Sequence, residues 1–209
     1  MKLYFSPGTC SLSPHIALRE AGLDFELVRV DIRQRKLADG SDFTAINRKG
    51  YVPVLELDNG LRLTEGPAIV QYIADRKPAS GLAPRPDTIE RYQLQEWLGF
   101  INSELHKGFS PLFRPDTPDG YKQVVRENLA GRLGYVADHL ASRNYLMGDQ
   151  FTVADGYLFT VLGWGRWVGI DIARWPSLLA FQQRVGERQS VRDALAAEAR
   201  PEIEVHQQG

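Results

Sequence analysis

The single cysteine of the chain, Cys10, is the first residue that could carry chemistry. It follows Pro7-Gly8-Thr9 and precedes a predicted helix near Ser11, where unpaired backbone N–H groups and the helix dipole favour an anion. A thiol in this position tends to have a lowered pKa and to react as a thiolate. The alternative is a small buried hydrophobic side chain, because free cysteine is among the most buried residue types. Any thiol chemistry must use an external thiol, since the sequence has no second cysteine.

Two residue pairs in the first half of the chain could bind a peptide-like ligand. Glu65 and Gly66 begin a predicted helix, so backbone N–H groups could bind a carboxylate while Glu65 binds an ammonium, as in the zwitterionic end of an amino acid. The alternative is an acidic residue that only stabilises the helix dipole. Val52 and Pro53 begin a strand that must lie at an edge or a bulge. Such an edge either pairs with an extended peptide or is only protected from pairing by the proline.

His106 lies on a predicted helix in the second half of the chain. Gly99, Ser103 and His106 are spaced i, i+4 and i+7, which predicts one small, polar helix face. That face could look into a cleft, and the alternative is a solvated histidine. The other histidines are His15, His139 and His206. They show no ligand spacing with acidic residues or the cysteine, so the sequence predicts no metal site.

Alternating apolar patterns position these residues within the first 80 positions. The predicted elements are a strand at 3–5, a helix at 11–21, a strand at 25–30, a short helix around 42–47, strands at 52–57 and 61–63, and a helix from 66 to about 75. Strand, helix and strand in succession predict a βαβ unit with parallel strands. Asn59-Gly60 between apolar runs predicts a hairpin. The order predicts a small mixed sheet with helices packed on it.

Strand patterns stop after residue 80. Positions 77–87 hold three of the 12 prolines and predict a linker, so we expect an α/β domain at 1–80, a linker at 81–87 and an all-helical domain at 88–209. Helical periodicity recurs at 89–105 and 125–140, a capping box at 152–155 begins another helix, and further helices are predicted at 176–186 and 191–199. The tail from Pro201 is polar and is predicted to fray.

Composition and charge exclude several classes of protein. The chain has 209 residues, 25 basic and 26 acidic, with a net charge of −1, which argues against nucleic acid as the main partner. The basic run at 33–36 could anchor a carboxylate through Arg35 or Lys36, although such a run is usually a solvated face. One cysteine predicts no disulfide framework, the start lacks the apolar core of a signal peptide, and the apolar run from Tyr157 is too short to span a membrane. We therefore expect a soluble cytoplasmic protein.

Five longer segments of the sequence resemble segments of a known protein family. They are SPGTCSLSPHIALRE, GYVPVLELDNG, LTEGPAIVQYIAD, ELHKGFSPLFRP and FTVADGYLF. In order and spacing they resemble the cytosolic glutathione S-transferases, specifically the bacterial beta class, over nearly the whole chain. The resemblance implies a thioredoxin-like N-terminal domain, an all-helical C-terminal domain and a homodimer. It also implies that glutathione (γ-Glu-Cys-Gly) is a substrate, with no cofactor and no metal.

The resemblance assigns roles to individual positions. Glu65 and Gly66 would hold the γ-glutamyl end of glutathione, and the backbone of Val52, before an expected cis Pro53, would pair with the cysteinyl part. The implied catalytic residues near the sulfur are Cys10 and His106. Further implied ligand contacts are Arg35 near the glycine carboxylate and Gly99, Ser103, Glu104 and Lys107, with Glu104 reaching toward the partner subunit's ligand.

Three positions depart from the pattern of the class. Gly66 stands where many members have Ser, Gly99 where relatives commonly have Asn, and Arg35 where the family has Lys. The two glycines remove a side-chain contact to the ligand, whereas Arg35 keeps the charge and changes its geometry. We expect the glutathione site to persist.

Three functions are compatible with these residues. The first is a transferase that conjugates the glutathione thiolate to small, apolar electrophiles in a detoxification-type reaction. Candidates for its apolar co-substrate wall are Phe109, Phe113, Trp164 and Trp167, although aromatic residues at helical spacing are more often core. The second is a glutathione-dependent thiol–disulfide oxidoreductase or reductive dehalogenase that uses Cys10 through a mixed disulfide. The third is a non-catalytic ligand-binding or scaffold protein of the same fold.

Overall fold

The computed structural model of the chain describes residues 1–199. The predicted polar tail from Pro201, with His206, lies outside the described residues. Strands are found only before residue 65 of the described part, and helices make up nearly all of the regular structure that follows. The predicted fold class, a thioredoxin-like α/β unit followed by an all-helical unit, is confirmed.

Five strands form one mixed sheet in the order β3-β2-β1-β4-β5. They are β1 (Lys2–Phe5), β2 (Glu26–Asp31), β3 (Lys36–Leu37), β4 (Val54–Glu56) and β5 (Arg62–Thr64). β1 pairs in parallel with β2 and antiparallel with β4, which confirms the predicted βαβ unit and mixed sheet. The hairpin between β4 and β5 is also as predicted. β3 was missed because two residues carry no periodic signal.

Two helices pack on the sheet, α1 (Leu12–Ala21) and α2 (Gly66–Arg76). α1 ends as predicted at Gly22, whose φ is 62° and whose N–H donates to the carbonyls of Leu18 and Arg19. The short helix predicted around 42–47 is a 3₁₀ turn at Phe43–Ala45, and the Asp42 carboxylate accepts a hydrogen bond from the Thr44 N–H.

The second half contains α3 (Ile89–Phe100), α4 (Lys107–Phe109), α5 (Asp119–Leu140), α6 (Val153–Leu162), α7 (Gly165–Val168), α8 (Pro176–Gly186) and α9 (Gln189–Ala199). Between α3 and α4 the chain continues as a π-helical turn at Ile101–His106. The uninterrupted α-helix predicted over 89–105 is therefore wrong in its last turn. A π-helical turn closes i→i+5 hydrogen bonds and often occurs at functional sites.

One hydrophobic core runs through both halves and fixes their relative position. Helix α1 packs against α2, α6 and α9, so the sheet half and the helical half share a packed surface. Two ion pairs cross the same junction. The Arg91 guanidinium donates to both oxygens of Asp75 at 2.9 and 2.6 Å, and Arg188 donates to both oxygens of Glu20 at 2.5 and 2.8 Å.

Candidate functional site

A cleft of about 250 Å³ lies between the two halves. Its lining comes from the β1–α1 loop, the residue that follows β2, the segment before β4, the start of α2, the π-helical turn, the start of α4 and α6. The lining residues are Thr9, Cys10, Ile32, Tyr51, Val52, Pro53, Glu65, Gly66, Asn102, His106, Lys107 and Tyr157. The structure thus brings together seven of the residues predicted from sequence, namely Cys10, Val52, Pro53, Glu65, Gly66, His106 and Lys107.

Cys10 is partly buried just before α1, and its Sγ donates to the Val52 carbonyl oxygen at 3.5 Å. Burial raises the pKa of the Cys10 thiol to about 12, and the opposing effects of a backbone N–H and of the Lys107 charge are smaller. The expectation of a lowered pKa is therefore wrong, because loss of hydration of the thiolate outweighs the N–H groups at the helix end. Cys10 is a neutral thiol at pH 7.

The peptide bond between Val52 and Pro53 is cis, as expected. β4 begins only at Val54 and lies between β1 and β5. The prediction that Val52 and Pro53 begin a strand at an edge or a bulge is therefore wrong: Pro53 precedes an interior strand and occupies no position in its hydrogen-bond ladder. Val52 and Pro53 line the cleft together with residues of the π-helical turn.

Glu65 and Gly66 lie where the chain passes from β5 into α2. Glu65 has φ 68° and ψ 111°, a backbone region that non-glycine residues rarely adopt and that is concentrated at binding sites. Its carboxylate accepts a hydrogen bond from Lys49 Nζ at 2.6 Å, and the same Nζ donates to the Thr64 hydroxyl at 2.9 Å. A Cβ at Gly66 would meet no heavy atom within 4 Å, so the serine of other members would fit here.

His106 is the last residue of the π-helical turn. Its Nδ1 lies 2.6 Å from the Tyr157 hydroxyl oxygen, which lies 3.0 Å from Oδ1 of Asn102. Burial lowers the pKa of His106 to about 4, and the neighbouring Lys107 charge acts in the same direction while Glu65 opposes it. Burial also raises the pKa of Tyr157. Both side chains are therefore neutral at pH 7.

Four predicted ligand residues are not among the described residues that line the cleft: Arg35, Gly99, Ser103 and Glu104. The π-helical turn explains Gly99 and Ser103, since it changes the rotation per residue and breaks the single face predicted from i, i+4 and i+7 spacing. Glu104 accepts an exposed hydrogen bond from Arg132 Nε at 2.8 Å. The Arg35 side chain lies against Gly50, one residue before the cleft residue Tyr51.

The predicted aromatic residues surround Trp164. Its Nε1 donates to the Gly8 carbonyl at 3.1 Å, and its ring meets the ring of His106 edge-on, with centroids 4.8 Å apart. Phe113 is 46% exposed and Trp167 is 50% exposed, so both can meet a co-substrate. Phe109 is fully buried and packs against Trp164, so it belongs to the core behind the wall.

Five lining residues were not predicted as site residues: Thr9, Ile32, Tyr51, Asn102 and Tyr157. Asn102 was missed because an uninterrupted α-helix would place Ser103 beside His106. Tyr157 was assigned only to the apolar helix that follows the capping box, and its hydroxyl was the signal that could have singled it out, since a buried hydroxyl requires a partner.

Within residues 1–199, no cluster of three or more His, Cys, Asp or Glu side chains could hold a metal ion. No helix in the same range is long and apolar enough to cross a membrane.

Comparisons with known proteins show which family the chain resembles. The family model "Glutathione S-transferase, N-terminal domain" matches residues 1–75, and "Glutathione S-transferase, C-terminal domain" matches residues 100–189. Glutathione S-transferase GstA of Escherichia coli O157:H7 is 50% identical over 198 residues, which cover 95% of this chain and 98% of that protein.

Two solved structures have nearly the same fold. A sphingomonad glutathione S-transferase in complex with glutathione is 50% identical, with a TM-score of 0.92 and coverage of 95% of this chain and 98% of that chain. The bacterial beta class glutathione S-transferase of Sphingomonas chungbukensis is 49% identical, with a TM-score of 0.92 and coverage of 95% and 99%.

Proposed function

The chain belongs to the glutathione S-transferase family, in its bacterial beta class, and we propose that its cleft binds glutathione and delivers the thiolate to small, apolar electrophiles. The observation that carries the proposal is the layout of the cleft. A carboxylate and a helix N-terminus, at Glu65 and Gly66, share one cavity with the polar groups of Cys10 and His106. A tripeptide with a zwitterionic end and a central thiol matches both sets of groups.

Each part of glutathione has a chemical counterpart in the cleft. The γ-glutamyl ammonium is proposed to bind Glu65 and its carboxylate the backbone N–H groups at Gly66, because opposite charges and helix N-termini favour these pairings. The cysteinyl backbone is proposed to pair with Val52. The Arg35 side chain lies against Gly50, one residue before the cleft residue Tyr51, and we assign the glycine carboxylate to Arg35.

The reaction is a substitution at carbon by the glutathione sulfur. A thiol of pKa near 9 is mostly protonated at pH 7, and each unit by which the site lowers that pKa stabilises the thiolate by about 1.4 kcal/mol. The thiol loses its proton to solvent, the thiolate forms a C–S bond, and the leaving group departs with the electron pair of the bond that breaks. Lys107 lines the cleft, and its positively charged side chain is proposed to stabilise the thiolate. Phe113, Trp164 and Trp167 are proposed to contact the electrophile.

The conjugation of 1-chloro-2,4-dinitrobenzene by the purified protein tests this function directly. We expect glutathione-dependent formation of the dinitrophenyl thioether, measured by absorbance, to exceed the uncatalysed rate. S-methylglutathione, which has no free thiol, is the matched negative control. A rate equal to the protein-free background with several activated halides would contradict the proposal and would favour the ligand-binding alternative.

Cys10→Ala separates conjugation from the thiol–disulfide alternative. Because burial raises the pKa of Cys10 to about 12, the Cys10 thiol is protonated at pH 7, and we expect the variant to keep conjugation activity within a factor of about three. Reduction of a glutathione mixed disulfide would instead be abolished in the variant if Cys10 were the nucleophile. Thiol transferase activity that is present in the wild type and lost in Cys10→Ala would favour the mixed-disulfide mechanism.

The assembly and domain boundaries are part of the same proposal. We propose a homodimer, because α3 and α5 present a slot lined by Trp97, Phe100 and Tyr135, and exposed aromatic side chains are typical of interfaces. Glu104, Gly99 and Ser103 are proposed to act at the ligand site only in that dimer. Light scattering coupled to size-exclusion chromatography measures the mass directly.

The proposed domains are 1–80 and 88–209, joined at 81–87. We further propose a cytoplasmic location, which a chain with one free cysteine would tolerate.

A further inference from the structure

The hydroxyl group of Tyr157 links helix α6 to the π-helical turn. It lies 2.6 Å from Nδ1 of His106 and 3.0 Å from Oδ1 of Asn102. The tyrosine side chain is only 2% exposed, so these two groups are its partners rather than bulk water. One ring nitrogen of His106 is therefore committed to Tyr157, and the other, Nε2, is the nitrogen that a ligand in the cleft can use.

A single hydroxyl hydrogen cannot serve both contacts. If Tyr157 donates to Asn102, then His106 must donate from Nδ1, and Nε2 carries no hydrogen. If Tyr157 donates to Nδ1, then Asn102 must turn its amide N–H toward the tyrosine oxygen, and Nε2 carries the hydrogen. The two ends of an amide have nearly the same shape, so the hydrogen-bond network decides which end faces the hydroxyl.

The distances favour donation from Tyr157 to His106. A separation of 2.6 Å is ordinary for a hydroxyl donor and short for an N–H donor, whose usual range begins at about 2.7 Å. A separation of 3.0 Å is the commonest length for an N–H donor, as expected if the Asn102 amide donates.

The chemistry of the cleft leads to the same arrangement. A thiolate is stabilised by hydrogen-bond donors, and a ring nitrogen without hydrogen can only accept. His106 cannot supply a donor by becoming charged, because burial holds its pKa at about 4, with Lys107 acting in the same direction and Glu65 and the neutral Cys10 thiol as the other titratable neighbours. Only the neutral form with hydrogen on Nε2 gives the ligand sulfur a donor.

We propose that Tyr157 donates its hydroxyl hydrogen to Nδ1 of His106 and so keeps the ring hydrogen on Nε2, where it donates to the ligand sulfur. Asn102 completes the relay by donating to the Tyr157 oxygen. Tyr157 and Asn102 are therefore positioning residues that act through His106. The identity of the sulfur ligand rests on the proposed function, whereas the position of the ring hydrogen is a property of the protein without ligand.

Asn102→Asp tests the relay because a carboxylate can accept but not donate. Two-bond ¹H–¹⁵N spectra of histidine-labelled protein without glutathione, at pH 8, report which ring nitrogen carries the hydrogen. The His106 signals are identified by their loss in His106→Gln. We expect hydrogen on Nε2 in the wild type and on Nδ1 in Asn102→Asp, since the carboxylate takes the hydroxyl hydrogen. A wild type with hydrogen on Nδ1 overturns the proposal, whatever the variant does.

Kinetics provide the second measurement. In Asn102→Asp and in Tyr157→Phe we expect kcat for conjugation to fall roughly 100-fold, the loss typical of removing one donor to a developing anion, with little change in KM for glutathione. Tyr121→Phe, at an exposed tyrosine of α5, should leave both constants unchanged. Wild-type kcat in both relay variants would overturn the catalytic part of the proposal. Absence of conjugation in the wild type would instead contradict the proposed function and leave the spectra to decide the tautomer.

Discussion

Asp155→Ala is expected to lower the free energy of unfolding by about 3 kcal/mol. Asp155 is fully buried at the start of α6. Its carboxylate accepts hydrogen bonds from the backbone N–H of Leu146 at 2.8 Å, from the backbone N–H of Thr152 at 2.8 Å and from the Thr152 hydroxyl at 2.9 Å. Alanine would leave two backbone donors buried without a partner, and each costs about 1–3 kcal/mol.

Urea unfolding followed by tryptophan fluorescence at fixed protein concentration measures this loss. Burial raises the pKa of Asp155 to about 6, so the experiment belongs at pH 7.5 or above, where the carboxylate is ionised. Asp171→Ala is the matched control, because the exposed Asp171 carboxylate caps a short 3₁₀ turn through a single bond to Ala173 N–H. We expect a loss below about 1 kcal/mol there. Equal losses of unfolding free energy in the two variants would show that burying the hydrogen bonds of the capping box adds nothing to the stability of the protein.

The capping box at 152–155 was predictable because it is local. Its residue types and spacing specify the hydrogen bonds, and the structure adds only the third donor, Leu146 N–H, which comes from the preceding loop. The same holds for the glycine C-cap of α1 and for the hairpin between β4 and β5. These features depend on backbone conformations that a few adjacent residues determine, so a sequence can predict them.

Cys10 illustrates what a sequence cannot provide. Its place before a helix was predicted, and the helix begins at Leu12 as expected within a residue. The sign of its pKa shift depends on how deeply the rest of the chain buries the sulfur, and residues as distant as Val52 and Lys107 determine that environment. Burial is a property of the tertiary structure, so a rule about helix N-termini alone gave the opposite result.

The π-helical turn is the second such case. A spacing rule assumes a constant rotation per residue, and the turn at Ile101–His106 violates it just before His106. Asn102 consequently joins the cleft and Ser103 does not. The resemblance assigned His106 to the site, and His106 lines the cleft. The side chains that contact it come from two elements, and their meeting at the Tyr157 hydroxyl has no signature in either segment alone.

Glu65→Gln is expected to raise KM for glutathione about 10- to 100-fold while kcat changes little. The variant keeps the shape of the side chain and its strained backbone, and it removes only the negative charge that is proposed to bind the γ-glutamyl ammonium. A hydrogen bond between two charged groups contributes about 1.5–3 kcal/mol, and this end of glutathione is remote from the sulfur. Steady-state conjugation kinetics with varied glutathione measure the two constants separately.

Three comparisons make this result specific. With a glutathione analogue that lacks the γ-glutamyl amino group, Glu65→Gln should change KM for the analogue little, because the carboxylate charge that the substitution removes has no partner on the analogue. Lys49→Met removes the cation that now lies 2.6 Å from the Glu65 carboxylate and should lower KM for glutathione slightly or leave it unchanged, since the ligand ammonium no longer competes for that carboxylate. Glu56→Gln, which affects an ion pair with Arg62 on the sheet, should leave KM unchanged. If the analogue and glutathione lost affinity equally in Glu65→Gln, the ammonium would have to bind elsewhere, and the proposed orientation of the tripeptide would be wrong.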